Sequence, residues 1–176
     1  MASPAEPFAS ARLRLAPLAA EAGDLALYRA LYCDPGVMRH IAPPVDAAAI
    51  AGRHAAACRD SQAQPLPNRW SLRLPGGDAV GLAGCFLAPA TRQAELGVML
   101  LPAAQRQGLA GEALHALMAR LVSLGGVDHA WSRHAPAHRA MARVLEGCGF
   151  ARGGLAGPLW RWQRALPGVA PVIAPG

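Results

Sequence analysis

The chain has 176 residues, of which 53% are hydrophobic and 16% are charged, so we expect one globular domain with a sizeable core rather than a disordered chain. Its formal charge is +6, from 17 basic residues against 11 acidic ones, and every basic residue is an arginine. The arginines are spread along the chain without the basic run expected of a surface that binds nucleic acid, so we expect no nucleic-acid partner.

Two further classes are disfavoured by the same sequence. No apolar run approaches the roughly 20 residues that span a bilayer, and the first residues lack a hydrophobic signal core, so we expect a cytoplasmic protein without membrane contact. The cysteines show no C-x-x-C spacing and sit among apolar neighbours, which is typical of buried thiols. No cysteine lies at ligand spacing from the histidines, so no metal site is expected.

The first third of the chain predicts one strand and two helices. Residues 1–11 are rich in proline and alanine and predict a flexible lead-in. Arg12 to Leu15 alternate polar and apolar side chains, the period of a half-buried strand. Residues 21–32 predict a helix, residues 37–41 predict a short helical turn, and Asp46 is a suitable N-cap for a helix that ends near Arg59.

The middle of the chain predicts an antiparallel meander of three strands. Residues 70–74 alternate in polarity, residues 79–87 follow a hairpin-type turn, and residues 93–101 form an apolar run ending before Pro102. Residues 109–124 then repeat leucine and methionine at i, i+3, i+4 and i+7, which predicts an amphipathic helix.

The last third predicts a parallel strand, a helix and two further strands. Residues 127–133 must lie parallel to residues 93–101, because a helical crossover connects them. A helix beginning at Pro136 ends at Gly149, and residues 150–156 and 159–165 read as strands. We therefore expect an α/β (α+β) fold: one domain over residues 12–165, with a mixed, mostly antiparallel sheet of seven strands and about four helices. Residues 166–176, rich in proline and glycine, predict a tail.

The turn between the third meander strand and the long helix carries the most functional information. Gly108, Ala110 and Gly111 leave the helix start free of bulky side chains, so its unpaired N–H groups and the positive end of its dipole favour a phosphate. The turn lies too far along the chain for a dinucleotide fingerprint, and a chain without lysine has no Walker loop.

Four stretches resemble one known family, the GCN5-related N-acetyltransferases. Gln105-x-x-Gly108-x-Ala110 resembles the acetyl-CoA pyrophosphate loop of that family, and residues 94–100 resemble the family's fourth strand. The segment Arg143-Val144-Leu145-Glu146-x-x-Gly149-Phe150 resembles its helix that closes on Gly-Phe. Arg-Leu-x-Leu-x-Pro-Leu, from Arg12, is similar to the first strand of the branch that includes the ribosomal-protein-alanine N-acetyltransferases.

This resemblance implies a site for acetyl-CoA or coenzyme A as cosubstrate, without a metal. In the family the central parallel strands splay apart, and the exposed amides of the fourth strand bind pantetheine. Carried over, the pantetheine arm would be lined by Val98, Met99 and Leu100. The pyrophosphate would be held by Arg106, Gln107, Gly108, Leu109, Ala110 and Gly111.

The resemblance also implies catalytic residues, with one departure from the family pattern. Glu95 occupies the position where relatives often carry a glutamate proposed as general base. The family's Asn-x-x-Ser falls on His138 and Met141, which would both lie near the pantetheine. His138 is therefore a candidate donor to the leaving thiolate, whereas Met141 cannot donate a proton. The choice between His138 and water as the proton donor stays open.

Three functions are compatible with these observations. The first is an acetyl-CoA-dependent N-acetyltransferase acting by direct attack in a ternary complex, with a small-molecule amine or a protein N-terminal α-amine as acceptor. The second is a catalytically weak or inactive CoA-binding module, and the third is a basic nucleic-acid binder. The acceptor is left open, because specificity would lie in residues 33–68 and in the last two strands. The choice between monomer and homodimer is also open.

Overall fold

A mixed sheet of eight strands runs through the computed structural model, which describes residues 3–167. Its strands β1 to β8 span Phe8–Ala9, Arg14–Pro17, Arg69–Arg73, Ala79–Ala88, Gln93–Leu100, His129–His134, Ala151–Ala156 and Leu159–Ala165. Among the described residues, the α-helices α1 to α5 span Ala22–Tyr32, Pro35–Met38, Ile50–Gln62, Leu109–Leu124 and Arg139–Gly147. Across the sheet the strand order is β1-β2-β3-β4-β5-β6-β8-β7, which confirms the predicted fold class.

The central strands β4, β5 and β6 position the site. Strands β3, β4 and β5 form the predicted antiparallel meander. Strand β5 then pairs with β6 in parallel, as the crossover helix α4 requires, but only from Gln93 to Glu95 on one strand and from His129 to Trp131 on the other. Beyond these three pairs the two strands separate. We call the space between them past Glu95 and Trp131 the β5–β6 gap; its presence confirms the predicted splay.

Two hydrophobic clusters cover opposite faces of the sheet. Alternate side chains of β5, such as Ala94 and Leu96, are buried beneath α4 and α5 in the larger cluster. The intervening Met99 packs on the other face, against the cluster formed by α1 and α3. The predicted inward face of α4 is confirmed, since Leu114, Leu117, Met118 and Leu121 are all buried.

The eighth strand comes from the predicted lead-in. Phe8 and Ala9 pair with Leu15 and Arg14, and the Phe8 ring lies edge-on to Trp70 at 5.0 Å between centroids. The predicted lead-in is therefore attached to the sheet at these residues. The strand pairing and the aromatic contact hold it there, although its proline content predicts a flexible segment. The domain boundaries at residues 12 and 165 stay a prediction, and tail residues 168–176 lie outside the described part of the chain.

Two predicted helix starts were wrong. Helix α3 begins at Ile50, because the Asp46 carboxylate accepts the Ala48 N–H in a separate turn instead of capping the helix. Helix α5 begins at Arg139 and not at Pro136, with His138 as its N-cap. Cys58, Cys85 and Cys148 are buried free thiols, as predicted, and Cys33 is half-buried. From residue 3 to residue 167, no helix combines the length and apolarity needed to cross a membrane.

Candidate functional site

The β5 edge that faces the β5–β6 gap offers free backbone groups. Leu101 donates its N–H to Val80 of the β4 side at 2.9 Å, and Arg92 accepts from Asp128 on the β6 side. Since backbone groups alternate sides along a strand, Val98 and Leu100 direct theirs toward the gap. Nε2 of the Gln105 side chain donates a hydrogen bond to the Leu100 carbonyl at 3.0 Å. The N–H of Val98 therefore faces a space that β6 has left.

The three residues predicted to line pantetheine are thus not equivalent. Val98 and Leu100 present backbone groups to the β5–β6 gap, whereas the backbone of Met99 is directed toward its partner Leu82 on β4. The Met99 side chain packs on the α1 and α3 face of the sheet. A ligand in the gap would meet the Val98 amide first, since the Leu100 carbonyl is already hydrogen-bonded.

The glycine loop, residues 105–111, joins the end of β5 to α4. Gly108 is the N-cap of α4 with φ of +77°, and Arg106 has φ of +62°, so both adopt the left-handed conformation. Within residues 3–167, no hydrogen bond uses the N–H groups of Arg106, Gln107, Gly108, Leu109, Ala110 or Gly111, and the first amide bonded in the helix is that of Glu112. Six consecutive free amides at a helix N-terminus form a suitable cradle for an anion.

A brace from the segment between β1 and β2 supports the glycine loop. Glu112 accepts from the Ser10 hydroxyl at 2.6 Å, from the Arg12 backbone N–H at 2.6 Å and from Arg12 Nε at 2.7 Å. Arg12 also donates from Nη1 to the Gln107 carbonyl at 2.9 Å. Burial by itself would raise the pKa of Glu112, but the hydrogen bonds from Ser10 and Arg12 outweigh it and hold that pKa below its usual range.

The sequence interpretation missed this brace. Its one signal was an acidic residue in the first turn of a helix, which is equally well explained by the helix dipole. Nothing local indicates that Arg12, one hundred residues earlier, reaches the same carboxylate.

Glu95 lies on the sheet face opposite α4, level with Trp131 of β6. Its Oε1 forms an ion pair with Arg133 Nε at 2.9 Å, and the Arg133 guanidinium extends over the Trp131 ring at 5.7 Å. The carboxylate is half-buried, with a side-chain exposure of 26%. This ion pair orients Glu95 at the last paired position before the β5–β6 gap, where a carboxylate could take a proton from an incoming ammonium.

His138 and Met141 occupy the start of α5. Nδ1 of His138 accepts the Met141 N–H at 3.2 Å, so the proton of the neutral ring is on Nε2. Burial, reinforced by the neighbouring His40 and His134, lowers the pKa of His138 and favours this neutral form. The ring is therefore a hydrogen-bond donor through Nε2–H, but releasing that proton would leave an anion. Met141 is buried in the core and carries no proton chemistry.

A second histidine, His134, was not assigned a role from the sequence, which considered it only as a metal ligand. It is buried as the last residue of β6, and its ring stacks on Trp162 with centroids 5.8 Å apart. The rings of His134, His138 and His40 lie in succession, at 6.2 Å and 4.9 Å between neighbours. Among the described residues no group of three ligating side chains is arranged to hold a metal ion. The expectation of no metal stays a prediction.

Comparison with solved structures shows the same fold in known acetyltransferases. An acetyltransferase from Agrobacterium tumefaciens str. C58 is 22% identical, with a TM-score of 0.76 over 90% of this chain and 94% of its own. The ribosomal L7/L12 α-N-protein acetyltransferase RimL, in complex with coenzyme A, is 15% identical, with a TM-score of 0.77 over 92% and 98%. Spermidine N-acetyltransferase from Vibrio cholerae, in complex with CoA and spermine, is 17% identical, with a TM-score of 0.74 over 89% and 97%.

Comparison with protein families identifies the chain from its sequence. No curated protein gives a significant match. The model of the acetyltransferase (GNAT) domain matches residues 12–151, which is most of the chain and includes β5, the glycine loop and α5. The predicted family and enzyme class are therefore confirmed: this chain belongs to the GNAT acetyltransferases.

Proposed function

We propose that the chain transfers an acetyl group from acetyl-CoA to a primary amine by direct attack in a ternary complex. The observation that carries this proposal is the row of six free amides from Arg106 to Gly111, placed directly after a strand whose own edge is open. A pyrophosphate on these amides would direct the rest of the cofactor along the β5–β6 gap. Acetyl-CoA supplies the acetyl group as an activated thioester.

Each part of the site has a distinct role in this proposal. The amides of Arg106 to Gly111 bind the pyrophosphate, and Arg106 adds a positive charge at the loop surface. Val98 and Leu100 line the pantetheine arm, with the Val98 N–H placed to polarise the acetyl carbonyl, whereas Met99 faces away from the gap. Glu95 removes a proton from the acceptor ammonium, directly or through water. His138 supplies a hydrogen-bond donor near the leaving sulfur.

The acceptor would approach from the side of Glu95. A cavity of about 230 Å³ lies between the end of α3 and strand β4, lined by Asp60, Gln64, Leu66, Asn68, Phe86 and Leu87. Phe86, which lines this cavity, pairs with Glu95 in the strand register. Its size suits the amine-bearing end of an acceptor, either a small-molecule amine or a protein N-terminal α-amine.

Two of the structurally similar enzymes act on these two classes of acceptor. RimL acts on the α-amine of a ribosomal protein, and the Vibrio cholerae enzyme is a spermidine N-acetyltransferase. We propose a primary amine of one of these classes, and a cytoplasmic monomer or homodimer.

A thiol-release assay with acetyl-CoA tests the proposal. Small amines, polyamines and peptides with a free N-terminus form the acceptor panel, and the acetylated product is identified by mass spectrometry. We expect amine-dependent release of CoA thiol with at least one acceptor class. Tight CoA binding without turnover across the whole panel would instead support a CoA-binding module.

A further inference from the structure

The register of the parallel strands places His134 opposite Val98. The three β5–β6 pairs, Gln93 with His129, Ala94 with Ala130 and Glu95 with Trp131, share an offset of 36 residues. Continued into the β5–β6 gap, the same offset brings His134 level with Val98. Side chains alternate between the two faces along a strand, and each of these residues is four positions from a residue buried on the α4 and α5 face, Ala94 on β5 and Ala130 on β6. The side chains of Val98 and His134 therefore belong to that face of the sheet.

His134 holds a proton acceptor that is buried without a partner. Its Nδ1 contacts the Ala135 carbonyl at 2.8 Å and must carry the proton, since a carbonyl cannot donate. Nε2 is then a free lone pair, and it is buried without a hydrogen bond among the described residues. Buried polar atoms in folded proteins almost always have a partner, so a group that enters the β5–β6 gap is expected to supply a donor.

The neighbouring histidine, His138, has the opposite hydrogen-bonding character to His134. His138 presents Nε2–H and cannot release this proton without becoming an anion, because its Nδ1 accepts from Met141. His134 can cycle instead, since its Nε2 is free to gain a proton and lose it again. His40, beside His138, and Arg39 also disfavour a positive charge on His138.

We propose that His134 is a further catalytic residue of the acetyl transfer, which moves the second proton of the attacking amine to the leaving sulfur. Glu95, on the opposite face of β5, takes the first proton from the acceptor ammonium. As the amine nitrogen forms the C–N bond and the C–S bond breaks, His134 Nε2 accepts a second nitrogen proton, and the third stays as the amide N–H. It then returns this proton to the sulfur, giving CoA thiol and neutral imidazole. This inference depends on the proposed function.

The first test detects contact with the thiol without turnover. The imidazole ¹⁵N resonances of the wild-type chain are recorded with CoA and with desulfo-CoA, which lacks the sulfur. We expect the Nε2 resonance of His134, assigned through its loss in His134→Asn, to shift with CoA and to shift much less with desulfo-CoA. Equal shifts with both, or no shift with either, would overturn the role of His134 and indicate that an internal water satisfies Nε2.

The second test measures catalysis in matched variants. In His134→Asn the side-chain amide can still donate to the Ala135 carbonyl, but Nε2 is lost, whereas His129→Asn changes an exposed histidine of the same strand. We expect His134→Asn to lower kcat by roughly 100-fold or more with little change in the KM for acetyl-CoA. His129→Asn should match the wild type. Unchanged kcat in His134→Asn contradicts the proposal.

The two tests separate the possible failures. If the wild-type chain releases no thiol with any amine, the proposed function is wrong, whatever the resonances show. If it turns over normally but His134 responds equally to CoA and desulfo-CoA, only the role of His134 is wrong. Should His134→Asn fold poorly, the resonance measurement on the wild type still decides the question.

Discussion

Arg12 and Glu112, one hundred residues apart, are joined by two hydrogen bonds: the Arg12 N–H reaches Oε1 at 2.6 Å, and Arg12 Nε reaches Oε2 at 2.7 Å. Because Arg12 also donates to the Gln107 carbonyl, the contact connects the segment between β1 and β2 to the glycine loop. The free amides of the loop are therefore held in place from the side away from their ligand. This preorganisation lowers the conformational cost of binding an anion.

Removing the charge of Glu112 should loosen the glycine loop. We expect Glu112→Gln to raise the KM for acetyl-CoA several-fold and to lower the free energy of unfolding by about 1 kcal/mol, because Arg12 is half-exposed and solvent weakens the ion pair. The pKa of Glu112 is lowered in the folded chain, so its contribution is present at neutral pH and is lost on acidification below about pH 4. Denaturation at pH 7 and pH 3 checks this, and an unchanged difference between the variants at both pH values would contradict it.

An added carboxylate in the glycine loop should separate cofactor binding from stability. Ala110 lies in the first turn of α4, where an aspartate favours the helix dipole by about 0.5 kcal/mol but repels a phosphate. We therefore expect Ala110→Asp to fold at least as well as the wild type and to bind CoA at least tenfold more weakly, measured by calorimetry. Ala119→Asp, on the exposed side of the same helix, is the control and should bind CoA normally. Equal affinities in the two variants would place the pyrophosphate elsewhere.

Glu95 and Arg133 should contribute differently to catalysis. We expect Glu95→Gln to lower kcat by roughly 100-fold while CoA affinity is retained, because the amide keeps the shape of the side chain but takes up no proton. Arg133→Gln removes a partly exposed ion-pair partner and should change stability by less than about 1 kcal/mol, with a smaller effect on kcat. Steady-state kinetics with a saturating acceptor distinguish the variants. Wild-type kcat in Glu95→Gln would show that another group, or water, accepts the ammonium proton.

His138 should be replaceable by the family's asparagine. We expect His138→Asn to cap α5 at least as well as the histidine and to keep an amide donor, so both stability and kcat should be close to wild type. His138→Leu should lose the cap, at a cost of about 1 kcal/mol, together with the donor.

The pH dependence of stability gives a second measure of His138. Its pKa is lowered in the folded chain, so the unfolded chain takes up its proton first and stability falls as the pH drops below about 6.5. We expect the loss of unfolding free energy between pH 7 and pH 5 to be smaller in His138→Asn than in the wild type. An identical loss in both proteins would mean that His138 does not titrate as described.

Two glycines of the central strands should respond oppositely to a methyl group. A Cβ on Gly81 would lie 2.3 Å from the Met99 carbonyl oxygen, whereas a Cβ on Gly97 would meet no atom within 4 Å. We expect Gly81→Ala to destabilise the chain by about 2 kcal/mol and Gly97→Ala to change stability little. Gly97 shares the face of Glu95, so its substitution should alter acceptor preference instead. Thermal unfolding and the acceptor panel measure the two effects, and a stable Gly81→Ala variant would contradict the close approach of β4 and β5.

The amino-acid sequence by itself determined the meander, the crossover helix and the glycine loop. Each depends on a local signal: alternating polarity in β3 and β4, a helical leucine repeat in α4, and glycines where the chain must leave the helix start open. The same local signals misplaced the starts of α3 and α5, because the capping contacts of Asp46 and His138 depend on exact side-chain geometry.

Only the tertiary structure decided how the site is assembled. The brace between Arg12 and Glu112 joins distant residues, so no local pattern indicates it. The open edge at Val98 depends on where β6 stops pairing, and the lone pair of His134 is free only because Ala135 holds its other nitrogen. Local residue patterns predict elements, since helix and strand periods are local. Hydrogen-bond partners depend on packing between elements, and it is the offset of the β5–β6 pairs, continued into the gap, that brings His134 level with Val98.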